Sequence, residues 1–165
     1  MLYSNNIKSI SDRIEKVGRI ILLEQLLSFI KSGKYDDATK ICSMYTLNQL
    51  KDFLLKAAYD TSDFSLYSFA QYMFIETDKI EWLKTALSLV IGPFCFVDGA
   101  YSIGLFHARQ LLARDYSIQN LEQLLFFHDI PEKLINRDEA LEIADRILKF
   151  DSSNQLALKI IRNRK

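Results

Sequence analysis

Apolar residues return at spacings of three and four in almost every segment of this chain, which is the period of a helix face and not of a strand. Ile7, Ile10, Ile14, Val17 and Ile21 set the pattern near the beginning. Ala140, Ile143, Ala144, Ile147 and Leu148 repeat it near the end. Only five Gly and two Pro are spread over 165 residues. An all-β or dinucleotide-binding chain needs more turn glycines, and neither GxGxxG nor a Walker-type GxxxxGK phrase is present. Val90 to Val97 is the one β-permissive stretch, and Gly92 and Pro93 interrupt it. The expected fold class is therefore all-α.

Start and stop signals divide the chain into about nine helices. The first one or two run from about Asn5 to Lys31, with Gly18 as a candidate break and Gly33 as a C-terminal cap. Ile20, Leu22, Leu23, Leu26, Leu27 and Phe29 widen the apolar face there, so this part is expected to be central. Lys34 to Ala38 opens a short helix ending near Tyr45. Thr46 with Gln49 has capping-box spacing and starts the next. Ser62 or Asp63, then Thr77 or Asp78, cap two more, and Gly92-Pro93 stops the second of these. A helix begins near Asp98, with Ala100, Ile103, Leu105, Phe106, Ala108 and Leu112 inward. Ser117 opens another, which Asp129-Ile130-Pro131 ends. Asn136 with Glu139 repeats the capping-box spacing, and Ser152 or Ser153 caps a last helix reaching about Ile161. Short links favour antiparallel neighbours, so the expected assembly is a row of stacked helical hairpins. No Pro-, Gly- or Ser-rich linker divides it, which makes residues 1–165 one helical-repeat domain.

Apolar residues make up 49% of the chain, enough for a packed core and too many for a disordered one. Lys plus Arg and Asp plus Glu both number 21. A zero balance offers no electrostatic footprint for nucleic acid or for an anionic membrane. No apolar run is long enough to span a bilayer, and Lys8, Asp12, Arg13 and Glu15 come too early for a secretory signal. Cys42 and Cys95 form no CxxC pair and read as small buried thiols of a reducing compartment. The expected address is the cytoplasm.

The segment Asp138-Glu139-Ala140-Leu141-Glu142-Ile143-Ala144-Asp145-Arg146-Ile147-Leu148-Lys149-Phe150-Asp151 resembles the second helix of a tetratricopeptide repeat. Ala140 and Ala144 stand where that family needs small residues, Asp151 and Asn154 where it turns, and Ala157 where the next helix begins. Ser152 replaces the usual Pro. Weaker copies at Gly33–Ala38 and Ala108–Leu112 do not keep the period of about 34 residues. The resemblance implies a tetratricopeptide-like hairpin at the C-terminal end and a degenerate solenoid elsewhere.

Two longer phrases carry a second resemblance. Gly92-Pro93-Phe94-Cys95-Phe96-Val97-Asp98-Gly99-Ala100-Tyr101-Ser102 leads into His107-Ala108-Arg109, and Phe126-Phe127-His128-Asp129-Ile130-Pro131-Glu132-Lys133-Leu134-Ile135 leads into the last hairpin. Together they resemble small helical bacterial proteins that confer immunity to polymorphic or contact-dependent toxins. That likeness implies a tight complex with a toxin domain encoded nearby, without chemistry or cofactor. A general adaptor of tetratricopeptide type is the alternative, although the scattered Lys and Arg give no clamp for a peptide carboxylate. Either way the expected partner is a protein, not nucleic acid or a membrane, and the oligomeric state stays open.

Chemical constellations are sparse. His107, His128, Cys95 and Asp129 could be assembled into a metal site, but nothing in their spacing requires it. Cys95 and His107 could form a nucleophile–base pair, yet the apolar setting of Cys95 disfavours a thiolate. Both histidines read otherwise as interfacial or hydrogen-bonded residues near helix ends. Carboxylates at Asp36-Asp37, Glu81 and Asp138-Glu139 suit helix starts. An acidic surface for a basic partner is the functional alternative. Aromatics crowd Tyr59 to Trp82, with Tyr67 and Tyr72 as surplus candidates for exposure. Phe94 and Phe96 read either as plugs into the core, the preferred reading, or as a contact surface. The candidate partner-binding residues are Tyr67, Tyr72, Asp98, Tyr101, His107, His128, Asp129 and Glu132.

Overall fold

The structure is a computed structural model that describes residues 17, 18 and 20–162. Ile7, Ile10 and Ile14, with the predicted start near Asn5, lie outside the described residues. Among those described the chain forms nine helices and no strand. They are α1 (20–31), α2 (Tyr35–Cys42), α3 (Leu47–Thr61), α4 (Ser65–Thr77), α5 (Ile80–Ile91), α6 (Ala100–Arg114), α7 (Ile118–Asp129), α8 (Arg137–Phe150) and α9 (Gln155–Arg162). They belong to two compact units, Met1–Thr77 and Asp78–Lys165.

In the first unit the links carry the turn chemistry that the sequence announces. Gly33 takes φ +70° after α1, a left-handed conformation that glycine adopts without Cβ strain. The Thr46 hydroxyl accepts from the Gln49 N–H at 3.3 Å, and the Gln49 side chain accepts from the Thr46 N–H at 2.9 Å. That reciprocal pair satisfies two orphan donors at the start of α3. The Asp63 carboxylate accepts from the N–H of Ser65, the first residue of α4, at 3.0 Å, and so satisfies a donor at the start of that helix. Gly18 is itself helical.

The core of this unit holds Leu26 and Ile30 of α1, Leu50 and Leu54 of α3, and Leu66, Phe69 and Ala70 of α4. Tyr35 of α2 meets the Phe69 ring edge-on at 5.3 Å and lies 5.1 Å from the Tyr72 ring, which fixes α2 on α4. The wide apolar face of α1 is not central along its whole length. Leu26 and Ile30 are fully buried, whereas Val17, Ile20 and Ile21 are exposed, Ile21 to 57%.

In the second unit each helix packs against the next, from α5 through α9. This is the hairpin row expected from short links. Gly104 marks a close approach of three of these helices. A Cβ built there would stand 2.8 Å from Ile91 Cγ2 of α5 and 3.2 Å from the Phe127 ring of α7. Farther along, Ala140 and Ala144 of α8 and Ala157 of α9 are completely buried. The Asp151 carboxylate accepts from the Ser153 N–H at 3.0 Å, and Asn154 caps α9 through the Ala157 N–H at 3.1 Å. Asn154, not Ser152 or Ser153, is therefore the cap, because α9 starts at Gln155.

Other expected caps also shift. Lys79 precedes α5 without a side-chain cap, and Gly99, in a left-handed conformation, precedes α6. Asn136 does cap α8, accepting from the Glu139 N–H at 2.9 Å. The Glu139 carboxylate turns to Arg109 of α6, at 2.9 and 3.3 Å. Phe106, expected inward, is exposed, and Gly104, His107 and Leu111 take the buried positions of α6.

Replacing Gly104 by Ala adds helix propensity worth about 1 kcal/mol but forces a β-branched methyl and an aromatic ring apart. The net effect expected for Gly104→Ala is a loss of about 1–2 kcal/mol. The denaturant midpoint of the full chain measures it, and a midpoint at or above that of the parent would contradict this packing.

Candidate functional site

The expected partner-binding residues are divided between the two units. Tyr67 and Tyr72 belong to the first unit and the other six to the second. Tyr67 is half-buried with its ring 5.0 Å from Phe64, and burial raises its pKa. The Tyr72 hydroxyl donates to the Asp36 carboxylate at 3.0 Å, and that bond is the main reason its pKa rises. Both rings thus have structural work, and Tyr59 is the exposed aromatic of this stretch.

In the second unit the two resembling phrases meet. The Tyr101 ring lies 6.1 Å from that of Phe126. Burial raises the Tyr101 pKa, with smaller contributions from Cys95 and the Glu132 charge. Tyr101 and Glu132 are thereby brought together, while Asp98 stays in the exposed turn before α6. His128 and Asp129 line a different feature, a cavity of about 260 Å³ shared with Lys133, Arg137 and Lys159. His128 Nδ1 lies 3.1 Å from the Ile135 carbonyl, which can only accept, so this nitrogen carries the proton. Asp129 and Lys159 approach at 3.8 Å across half-exposed side chains, a weak contact in water.

His107 is corrected from surface to core. It is 1% exposed on α6, with Nδ1 3.2 Å from the Gln110 amide oxygen. A side chain this enclosed offers no area to a partner. Burial lowers its pKa, and the Gln110 contact opposes that only in part. The cysteines divide as well. Cys42 is buried and its thiol is pushed up to about 12, whereas Cys95 is exposed. The turn after Gly92 explains this, since it seats Phe94 completely in the core and leaves Phe96 66% exposed. Among the described residues no three metal-ligating side chains cluster.

An open concavity of apolar character lies elsewhere, in the first unit. Ile20, Leu23 and Leu27 of α1 face Phe53 and Ala57 of α3 across a groove of about 500 Å³. Positions 20, 23, 24 and 27 share one face of α1 by their spacing. Glu24 stands on the α1 side, and Asp52, Lys56 and Asp60 follow one another at four-residue spacing along α3. Three carboxylates and one ammonium thus border an apolar floor. None of the four forms an ion pair among the described residues. The sequence signal for this groove was the width of the apolar band from Ile20 to Phe29, which exceeds the single stripe of a helix covered on one side. Among the described residues no helix is long and apolar enough to cross a membrane. In comparisons with known proteins, the chain matches no family model, no curated protein and no solved structure.

Two outcomes follow from this geometry. The folded protein should react with about one equivalent of a thiol reagent, at Cys95, and with both thiols after denaturation, because the thiolate is the reactive form. Two fast thiols in the native state would refute the burial of Cys42. For His107, the depressed folded pKa means that the unfolded chain binds the proton first. Stability is then full above the unfolded value of about 6.5 and falls as pH drops toward the folded pKa. Denaturation of His107→Gln between pH 7.5 and 5 should show a shallower acid-side loss than the parent. An equal slope would mean that His107 does not contribute.

Proposed function

We propose that this chain binds a protein partner, that the partner is a bacterial toxin domain encoded beside it, and that a tight complex neutralises that domain. The observation that carries the reading is the α1–α3 groove, with apolar residues open to water inside an acidic border. Monomeric proteins rarely leave contiguous apolar surface exposed without a use for it. A border richer in carboxylates than in ammonium groups suits a partner of positive potential, such as the substrate groove of a nuclease toxin. The meeting of the two immunity-like phrases at Tyr101 and Phe126 supports the sharper form. In this reading the chain acts in the cytoplasm and inhibits by occupying space and charge, without chemistry of its own.

The test is co-expression with the product of the adjacent gene. A one-to-one complex that survives gel filtration and abolishes toxicity is the expected result. A neighbour with no toxic activity, or a toxin left fully active by equimolar protein, would sink the immunity reading. A complex with a non-toxic partner would establish the adaptor instead.

A further inference from the structure

The geometry of the first unit points to the kind of element that fills the groove: we infer that it takes a basic amphipathic helix of the partner. The inference rests on the partner-binding reading above. Its support is the shape and charge of the groove together. Ile20 to Leu27 covers about 10 Å of α1 and Asp52 to Asp60 about 12 Å of α3, at a helical rise of 1.5 Å per residue. Two helix faces of that length make a trough for about two turns of a third helix. An amphipathic helix meets such a trough with anchors at i, i+3 or i+4, and i+7. Those anchors would cover Ile20, Leu23, Leu27 and Phe53, which α1 and α3 alone leave partly open.

The border selects the sign of the occupant. Glu24, Asp52 and Asp60 give three negative charges against the single Lys56, in a chain whose total charge is zero. None of these carboxylates is neutralised by an ion pair among the described residues. An acidic helix would set like charges against them as it closed over the apolar floor. A helix with Lys or Arg flanking its apolar stripe would complete the border and gain encounter rate from the opposite charge. The row Asp52, Lys56, Asp60 adds a register. The occupant is best served by two basic positions about two turns apart with an acidic or neutral residue between them.

The test uses the full chain and a labelled synthetic helix of about 14 residues, with Leu at the anchor positions and Lys on both flanks. Its twin carries Glu in place of every Lys. Fluorescence anisotropy should give saturable binding of the Lys helix and an affinity for the Glu twin at least about tenfold lower. Ile20→Glu should abolish binding of the Lys helix. The double variant Asp52→Lys, Asp60→Lys should invert the preference between the twins. All three substitutions lie at exposed positions, and circular dichroism checks that each variant remains helical. Equal affinity for the twins, no binding of either, or an unchanged preference in the double variant would overturn the assignment. So would a dimer in sedimentation that Ile20→Glu dissolves, which would make a second copy the occupant. A more than tenfold gain in affinity on removing residues 1–16 would also overturn it, in favour of the chain's own end. The two readings fail separately. If Ile20→Glu still forms the complex and silences the toxin, the groove assignment falls and partner binding stands. If the parent chain forms no complex at all, the functional reading falls whatever the peptide does.

Discussion

The missing side chain at Gly104 is the constraint on which the second unit depends. Ile91 and Phe127 both reach into the space that a Cβ would fill, so α5, α6 and α7 share one crossing point set by a hydrogen atom. The neighbouring buried positions of α6 follow the same logic. Ala100, Gly104 and Ala108 keep one face narrow, and Leu105 and Leu111 fill the space at its margins. Ala140 and Ala144 of α8 and Ala157 of α9 continue the device at the far end of the row. Close axes put more carbon atoms in contact per residue, which is how short helices hold together in this row. Glycine in a helix interior costs conformational entropy. Its presence there means that the gain from approach outweighs the cost.

Much of this was legible in the sequence because helix periodicity is a local signal. The nine helices, the capping box at Thr46 and the stop at Gly92-Pro93 are each fixed by residues within one or two turns. What escaped was decided by neighbours. His107 and Phe106 are adjacent on α6, and composition cannot say which of an imidazole and a phenyl ring will face inward. The close approach at Gly104 gave the inward place to the turn that carries His107. Phe94 and Phe96 differ in the same way, since a run of turns has no periodicity to read. The cap of α9 fell on Asn154 because Ser153 is tied to the Asp151 carboxylate in the turn that precedes the helix.

The candidate site shows a sharper limit. The aromatics singled out as surplus, Tyr67 and Tyr72, are engaged within their own unit. The groove is made instead of apolar residues, among them Ile20, Leu23 and Leu27 of the segment expected to be central. An apolar residue at helical period looks the same whether the chain itself covers it or a partner does. The distinguishing clue was excess, since α1 carries more apolar faces than α3 can cover. Charge gave a second clue only after folding. Glu24 is separated from Asp52 and Asp60 along the chain, and only packing turns the three into one border.

The link between α7 and α8 is held differently from the other connections. Ile135 donates its N–H to the Phe127 carbonyl at 3.2 Å and accepts at its own carbonyl from His128, while its side chain is completely buried. One residue is thereby fastened on three sides. The segment therefore behaves as a fixed part of the helical row, and extra residues there would pull on α7 and α8 at once. The turn at Asp98-Gly99 is exposed and is closed by local backbone bonds, from the Ala100 N–H to the Val97 carbonyl at 2.9 Å and from the Ile103 N–H to the Gly99 carbonyl at 3.0 Å. It is the place where a tag, a dye or a longer loop can be spliced into the second unit while its helices keep their places.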